Sequence, residues 1–172
     1  HDAYIMRCCC CQIYIIITGT CTNYNLQFLG SVQYFCINDI TTDNDCVCVN
    51  NCVYCGFRKD NKALKRKVLT LDEIETETLH LLRMGHKRAL LICGESPRND
   101  ANYMVEAIRR TYAAKDEKGS SIRRINVELA PMSVEDYAKL KAEKIGTYVC
   151  FQETYDPVAY AQFHPAGTPK AD

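Results

Sequence analysis

The sequence predicts an α/β fold in which parallel strands alternate with covering helices, and three features predict it. From about residue 61 onward, apolar runs of strand length alternate with amphipathic stretches of helix length. The helices open on side-chain caps, and the links between elements are short, as parallel β/α units require. Strands joined through a helix run parallel and need the helices to cover the sheet. Three or four such units are present, whereas a closed eight-unit barrel needs roughly 200 residues or more. The 172-residue chain therefore supplies part of a (β/α) barrel, and its ends, His1 and Lys170-Ala171-Asp172, read as cut.

Residues 1–42 stand apart: they carry four consecutive cysteines at 8–11, scattered Tyr, Ile and Thr, and no clean period of 2 or 3.6. A strand over 31–37 is compatible with them. We read 1–42 as an atypical Cys-rich leader, non-native or disordered, and 43–172 as the N-terminal part of the barrel domain. In the second part, Thr70 and Glu73 form a T-x-x-E capping box, and Leu71, Ile74, Thr78, Leu79 and Leu82 then share a helix face that runs to Met84 and stops at Gly85. Residues 88–93 (RALLIC) read as a buried strand, a Gly-Glu-Ser-Pro loop follows, and 100–114 reads as a second helix. A strand over 125–129, a helix opened by Ser133-x-x-Asp136 and running to Glu143, and a strand over 147–151 repeat the alternation.

Lysine plus arginine equals aspartate plus glutamate at 21 each, so charge gives no reason to expect a nucleic-acid or anionic-membrane partner. Ten of the 12 cysteines fall between Cys8 and Cys55, a distribution unlike an evenly stapled secreted scaffold. The apolar run 12–18 is too short to span a bilayer and lacks a basic lead and a cleavage site. The expectation is a soluble protein of a reducing compartment: the cytoplasm, or a plastid or hydrogenosome if the source is eukaryotic.

Chemistry concentrates in Cys48-Val-Asn-Asn-Cys52-Val-Tyr-Cys55-Gly-Phe, a C-x3-C-x2-C run. Three thiolates can hold three irons of a cubane and leave the fourth open for reaction. Ferredoxin-type carriers instead use C-x2-C-x2-C and close the cluster with a fourth cysteine. Structural zinc is the alternative, with Cys46 joining Cys48, Cys52 and Cys55, although a Cys-x-Cys pair matches two C-x2-C knuckles poorly. Gly94-Glu95 ends the strand after the next β/α unit, the edge where β/α folds place functional groups.

The stretches CVNNCVYCGFRKDN, LKRKVLTLDEI, MGHKRALLICGESP, IRRINVELAP, VEDYAKLK and IGTYVCFQETYDP resemble the tyrosine-lyase branch of the radical S-adenosylmethionine superfamily. That branch includes the tyrosine lyase of [FeFe]-hydrogenase maturation and the thiazole-pathway lyase of thiamine synthesis, and GHKR, IRRINV and FQETY look closer to the former. The resemblance implies a TIM-like barrel and a [4Fe-4S] cluster on Cys48, Cys52 and Cys55. It also implies S-adenosyl-L-methionine as cosubstrate, with Tyr54 by its adenine, Gly94 and Glu95 at its methionine end, and Glu128 at its ribose. Gln152, Glu153 and Tyr155 would face the substrate, tyrosine, which is cleaved at Cα–Cβ to p-cresol and dehydroglycine. The implied partners are a reductant such as ferredoxin or flavodoxin and other hydrogenase maturation proteins.

Two departures from that family stand out. Polar residues 41–45 precede the first cysteine where the family has an apolar strand, and Asp156 follows Tyr155 where the family has histidine. His86 and Lys87 read as structural or solvated, His164 as a surface residue, and Cys93 and Cys150 as small buried strand residues. The rivals to an enzyme are a zinc-binding module on residues 46–55 and an inactive fragment with open sheet edges.

Overall fold

The computed structural model describes residues 48–56, 58–62, 68–150 and 152–167 in full, and the backbone alone of residue 67 and of five short strands within 5–39. The leading strands are β1 (Ile5–Cys8), β2 (Cys11–Ile16), β3 (Leu26–Leu29), β4 (Val32–Cys36) and β5 (Asn38–Asp39). They are followed by β6 (Lys67–Val68), α1 (Leu71–Arg83), β7 (Arg88–Ile92), α2 (Ala101–Ala113), β8 (Arg124–Glu128), α3 (Val134–Ala142), β9 (Thr147–Val149) and α4 (Pro157–Phe163). β1 and β2 form an antiparallel pair, as do β5 and β6.

The main sheet has the order β3-β4-β7-β8-β9. β3 and β4 are antiparallel; β4, β7, β8 and β9 run parallel. The strand compatible with residues 31–37 is thus β4, paired beside β7, while polar residues 41–45 lie outside the described residues. Register aligns Cys36, Ile92, Glu128 and Val149 across the sheet. Everything that follows these four residues leaves from one edge of the sheet, and the site is built there.

Local signals set the helix bounds. Thr70 Oγ1 accepts from Glu73 N–H at 3.3 Å while Glu73 Oε2 accepts from Thr70 N–H at 2.9 Å, which completes the capping box of α1. Gly85 ends α1 with φ 92°, a left-handed turn that glycine enters without strain. Asp100 caps α2 through Tyr103 N–H at 2.8 Å, and Ser133 caps α3 through Asp136 N–H at 3.1 Å. Asp156, the departure from the family pattern, caps α4 through Val158 and Ala159 N–H at 2.9 and 2.8 Å, with Pro157 at the first helical position.

The core lies between the sheet and α1 and α2. Ile74, Leu81 and Leu82 of α1 meet Met104 and Ile108 of α2, over Leu91, Ile125 and Val127 of the sheet. β7 is buried along all but its first residue, as expected of a strand covered on both faces. α3 buries only Leu140, and β9 at the sheet edge is half-covered. Cys93 is buried in this core, 3.9 Å from the Met104 sulfur, as expected. Cys150 is not: pairing of β9 stops at Val149, and Cys150 lies beyond it, exposed to solvent.

Candidate active site

The three cysteines of the C-x3-C-x2-C run are buried, with Cys48, Cys52 and Cys55 at 7%, 4% and 1% exposure. A turn brings the last two together, Cys55 N–H donating to Cys52 C=O at 3.0 Å, and Tyr54 packs against both. The loop is tied to the end of β7 twice. Val49 N–H donates to Glu95 C=O at 2.8 Å, and Asn50 Nδ2 donates to Glu95 Oε2 at 2.7 Å. Its outer flank is closed by Asn51 Nδ2 to Asp60 at 2.6 Å and by Arg58 Nη1 to Cys55 C=O at 2.9 Å. Asn50, which no sequence pattern singled out, is a buried member of this site.

On the other side of the loop the Tyr54 hydroxyl lies 2.8 Å from Glu153 Oε1 and 2.8 Å from His164 Nε2. His164 Nδ1 lies 2.9 Å from Tyr160 C=O, which can only accept, so Nδ1 carries a proton. Tyr54 has one hydroxyl proton for two neighbours. Burial, with the Glu153 carboxylate next in weight, pushes the Tyr54 phenol far above its ordinary value, so it stays protonated. His164 is therefore no surface residue: its ring stacks on Tyr160 at 4.0 Å and meets Tyr54 edge-on at 5.5 Å.

The remaining expected residues divide into two groups. Gly94 C=O accepts from Asn99 Nδ2 at 2.9 Å, which holds the turn that presents Glu95. Glu128 ends β8 with 2% exposure, so it is buried at the strand terminus and not solvated. Glu153 is half-buried, and its Oε2 is enclosed without a hydrogen-bond partner. Gln152 and Tyr155 turn outward: Gln152 Nε2 donates to Thr154 C=O at 2.8 Å, and Tyr155 is 91% exposed. His86 is half-buried in the turn before β7, with burial lowering its basicity, away from this rim.

Three buried cysteines within eight residues form a donor set that, once reduced, has the softness that iron–sulfur clusters take. Cys55, however, is in a disulfide whose other half lies outside the described residues. Among the described residues no three His, Cys, Asp or Glu side chains are gathered to hold a metal ion. The donor set fits a cluster and the oxidised loop does not: Cys55 must be reduced before its sulfur can ligate. Cys46, the fourth ligand that a zinc site would use, lies outside the described residues. No helix among the described residues is long and apolar enough to cross a membrane.

A parallel β/α sheet with a thiol-rich loop at the C-terminal edge of its strands defines part of a (β/α) barrel with its functional rim. Residues 46–171 match the Radical SAM superfamily, and the chain belongs to that superfamily. It is 34% identical over 121 residues to the 2-iminoacetate synthase of Escherichia coli K12, which takes in 70% of this chain and 30% of that protein. Similarity to the [FeFe] hydrogenase maturase subunit HydE of Thermotoga maritima is 32% over 119 residues, 69% of this chain and 32% of that one. Among solved structures, it superposes on HydG, a maturase of the [FeFe]-hydrogenase, with TM-score 0.71 and 45% identity, over 81% of this chain and 29% of that chain. HydG from Carboxydothermus hydrogenoformans gives TM-score 0.69 and 39% identity, over 82% of this chain and 30% of that chain. The resemblance to the tyrosine-lyase branch stands on these same relatives, of whose length the chain spans under a third.

Proposed function

We propose that the chain is the cluster-bearing part of a radical S-adenosylmethionine enzyme that cleaves tyrosine at Cα–Cβ to p-cresol and dehydroglycine. The carrying observation is the buried Cys48, Cys52 and Cys55 loop, pinned through Asn50 to Glu95 at the end of β7. A [4Fe-4S] cluster on these thiolates, reduced by a ferredoxin or flavodoxin, would supply the electron that splits S-adenosylmethionine to methionine and a 5′-deoxyadenosyl radical. Glu95, oriented by Asn50, receives the ammonium of the cosubstrate, and Gly94 lets the backbone approach it. Tyr54 lies by the adenine, and buried Glu128 takes ribose hydroxyls. Glu153, whose Oε2 is enclosed without a hydrogen-bond partner, is the residue we assign first to substrate, since leaving such an oxygen unmet costs about 1–3 kcal/mol. Outward-facing Gln152 and Tyr155 are assigned to substrate only after it.

The purpose we favour is supply of carbon monoxide and cyanide ligands in [FeFe]-hydrogenase maturation, with other maturation proteins as partners. Identity of 45% to a HydG structure, against 34% to a 2-iminoacetate synthase, supports that choice. The latter likeness supports the thiazole-pathway lyase as the second reading. The test is anaerobic iron–sulfide reconstitution under thiol reductant, with electron paramagnetic resonance before and after S-adenosylmethionine. A [4Fe-4S]+ signal that shifts on addition, followed by p-cresol release from tyrosine, is the expected result. A colourless chain that keeps zinc and gives no signal would overturn the reading.

A further inference from the structure

Residues 163–167 have no part in the reading above, yet they lie across the cysteine loop and touch it repeatedly. Asn51 N–H donates to Ala166 C=O at 2.9 Å, and Val53 N–H donates to Phe163 C=O at 3.0 Å. The Tyr54 hydroxyl meets His164 Nε2 at 2.8 Å, and the Tyr54 ring meets Phe163 edge-on at 6.4 Å. At Gly167 a Cβ would fall 2.6 Å from Asn50 Cα, and φ is 128°, so both space and backbone demand glycine there. The residues gripped, Asn50, Asn51, Val53 and Tyr54, are the ones between the thiols. Both gaps of the C-x3-C-x2-C run are thereby pinned.

We propose that residues 163–167 form a strap that presets the cysteine loop, with His164 as its positioning residue acting through Tyr54. The His164 ring suits that role because it is itself fixed. Nδ1 is committed to Tyr160 C=O at 2.9 Å and the ring stacks on Tyr160 at an interplanar angle of 25°, which decides that Nε2 faces Tyr54. Holding a ligand loop in shape before binding removes an ordering cost that the cluster would otherwise meet. The proposal rests on the cluster reading only for the second of its two readouts.

The test uses the whole 172-residue chain after reduction, with His164→Phe, His164→Gln and Gly167→Ala. Phe keeps the stacking on Tyr160 and removes the nitrogen; Gln restores a polar group near the Nε2 position. The first readout is the rate of thiol alkylation at Cys48, Cys52 and Cys55 without any cluster, mapped by mass spectrometry against Cys93 in the core. His164→Phe should raise the loop rates about fivefold, the factor one lost hydrogen bond gives, and His164→Gln should stay within about twofold of wild type. Gly167→Ala should raise them at least as much as the Phe variant does. The second readout is iron release to a chelator from the reconstituted chain, which should quicken in the same order.

Unchanged loop rates in both His164→Phe and Gly167→Ala would overturn the strap. So would a Gln variant as fast as the Phe variant, or a rise at Cys93 equal to that in the loop, since either means that His164 serves the fold as a whole. If wild type takes up no cluster, the functional reading fails, and the alkylation rates still decide the strap.

Discussion

The layer of α1, α2, β7 and β8 and the rim that joins the cysteine loop to residues 152–167 are held by different forces. In the layer, Leu91, Ile125, Met104 and Ile108 are fully enclosed among apolar neighbours, and each helix starts on a cap within its own first turn. In the rim, Asn50 meets Glu95 across 45 positions, Tyr54 meets Glu153 across 99 and His164 across 110, all through polar atoms. Burial is additive and tolerant of small shifts, whereas a hydrogen bond is lost within a fraction of an ångström. The layer therefore carries stability and the rim carries shape. Substitutions in the two should separate melting from loop chemistry.

The largest effect belongs to the layer. Leu91→Ala removes a side chain with 0% exposure and should cost about 2–5 kcal/mol, a large part of the roughly 5–15 kcal/mol expected of a whole domain. Thermal and urea unfolding followed by circular dichroism would measure it. Below the transition, alkylation of the loop thiols should keep its wild-type order. A loss under about 1 kcal/mol, smaller than any ordinary large-to-small core change, would show that the layer is not the stabilising half.

Asn50→Ala is the rim counterpart and should divide the other way. It takes one donor from the Glu95 carboxylate, worth at most about 1.5–3 kcal/mol and less where water reaches the pair. The change in unfolding should be smaller than for Leu91→Ala. The change in the resonance shift produced by S-adenosylmethionine should be greater, because Glu95 loses its orientation. Equal resonance shifts in wild type and Asn50→Ala would break the assignment of shape to the rim.

What the sequence makes legible follows the same division. The α1 capping box, the Gly85 stop and the periodicity of α1 and α2 act within one or two turns, so residues three or four apart suffice to read them. The cysteine motif is legible for a similar reason: its three ligands lie within eight residues. Asn50 and His164 are not legible, since neither has a local pattern and each acquires its role from a partner far along the chain. Cys150 shows the limit of periodicity at an edge, because where strand pairing stops depends on the neighbouring strand and not on the run itself. Asp156 is the converse case. As a departure from a family pattern it signals a lost contact, yet Asp followed by Pro is also a readable helix start, and it serves as one.

Alkaline titration compares the rim with β9, the strand packed against the edge of the layer, through one residue type. Burial, then the neighbouring Tyr137, pushes the Tyr148 phenol well above its ordinary value, as burial does for Tyr54 in the rim. The unfolded tyrosine loses its proton near pH 10 while the folded one keeps it, so the folded state binds more protons above that pH. Stability is thus full below about pH 10 and falls as pH rises beyond it, by at most about 1.4 kcal/mol per pH unit for each such tyrosine. Tyr148→Phe and Tyr54→Phe should each flatten the fall seen in unfolding between pH 10 and 12. If only Tyr148→Phe flattens it, the Tyr54 hydroxyl is open to water and the rim is looser than its hydrogen bonds imply.

The smallest expected effect gives the sharpest separation. Thr70 caps α1 at its first turn, and Thr70→Ala deletes the oxygen that accepts from Glu73 N–H at 3.3 Å. Loss of such a cap costs typically about 1 kcal/mol. For a chain of this size that lowers the melting temperature by roughly 2–4 °C. The cap's hydrogen bonds run only between Thr70 and Glu73, so the loop thiols should alkylate at the wild-type rate. A rim that loosens with α1 would instead mean that the helix layer sets the loop's shape as well, and the strap would then be transmitting order and not creating it.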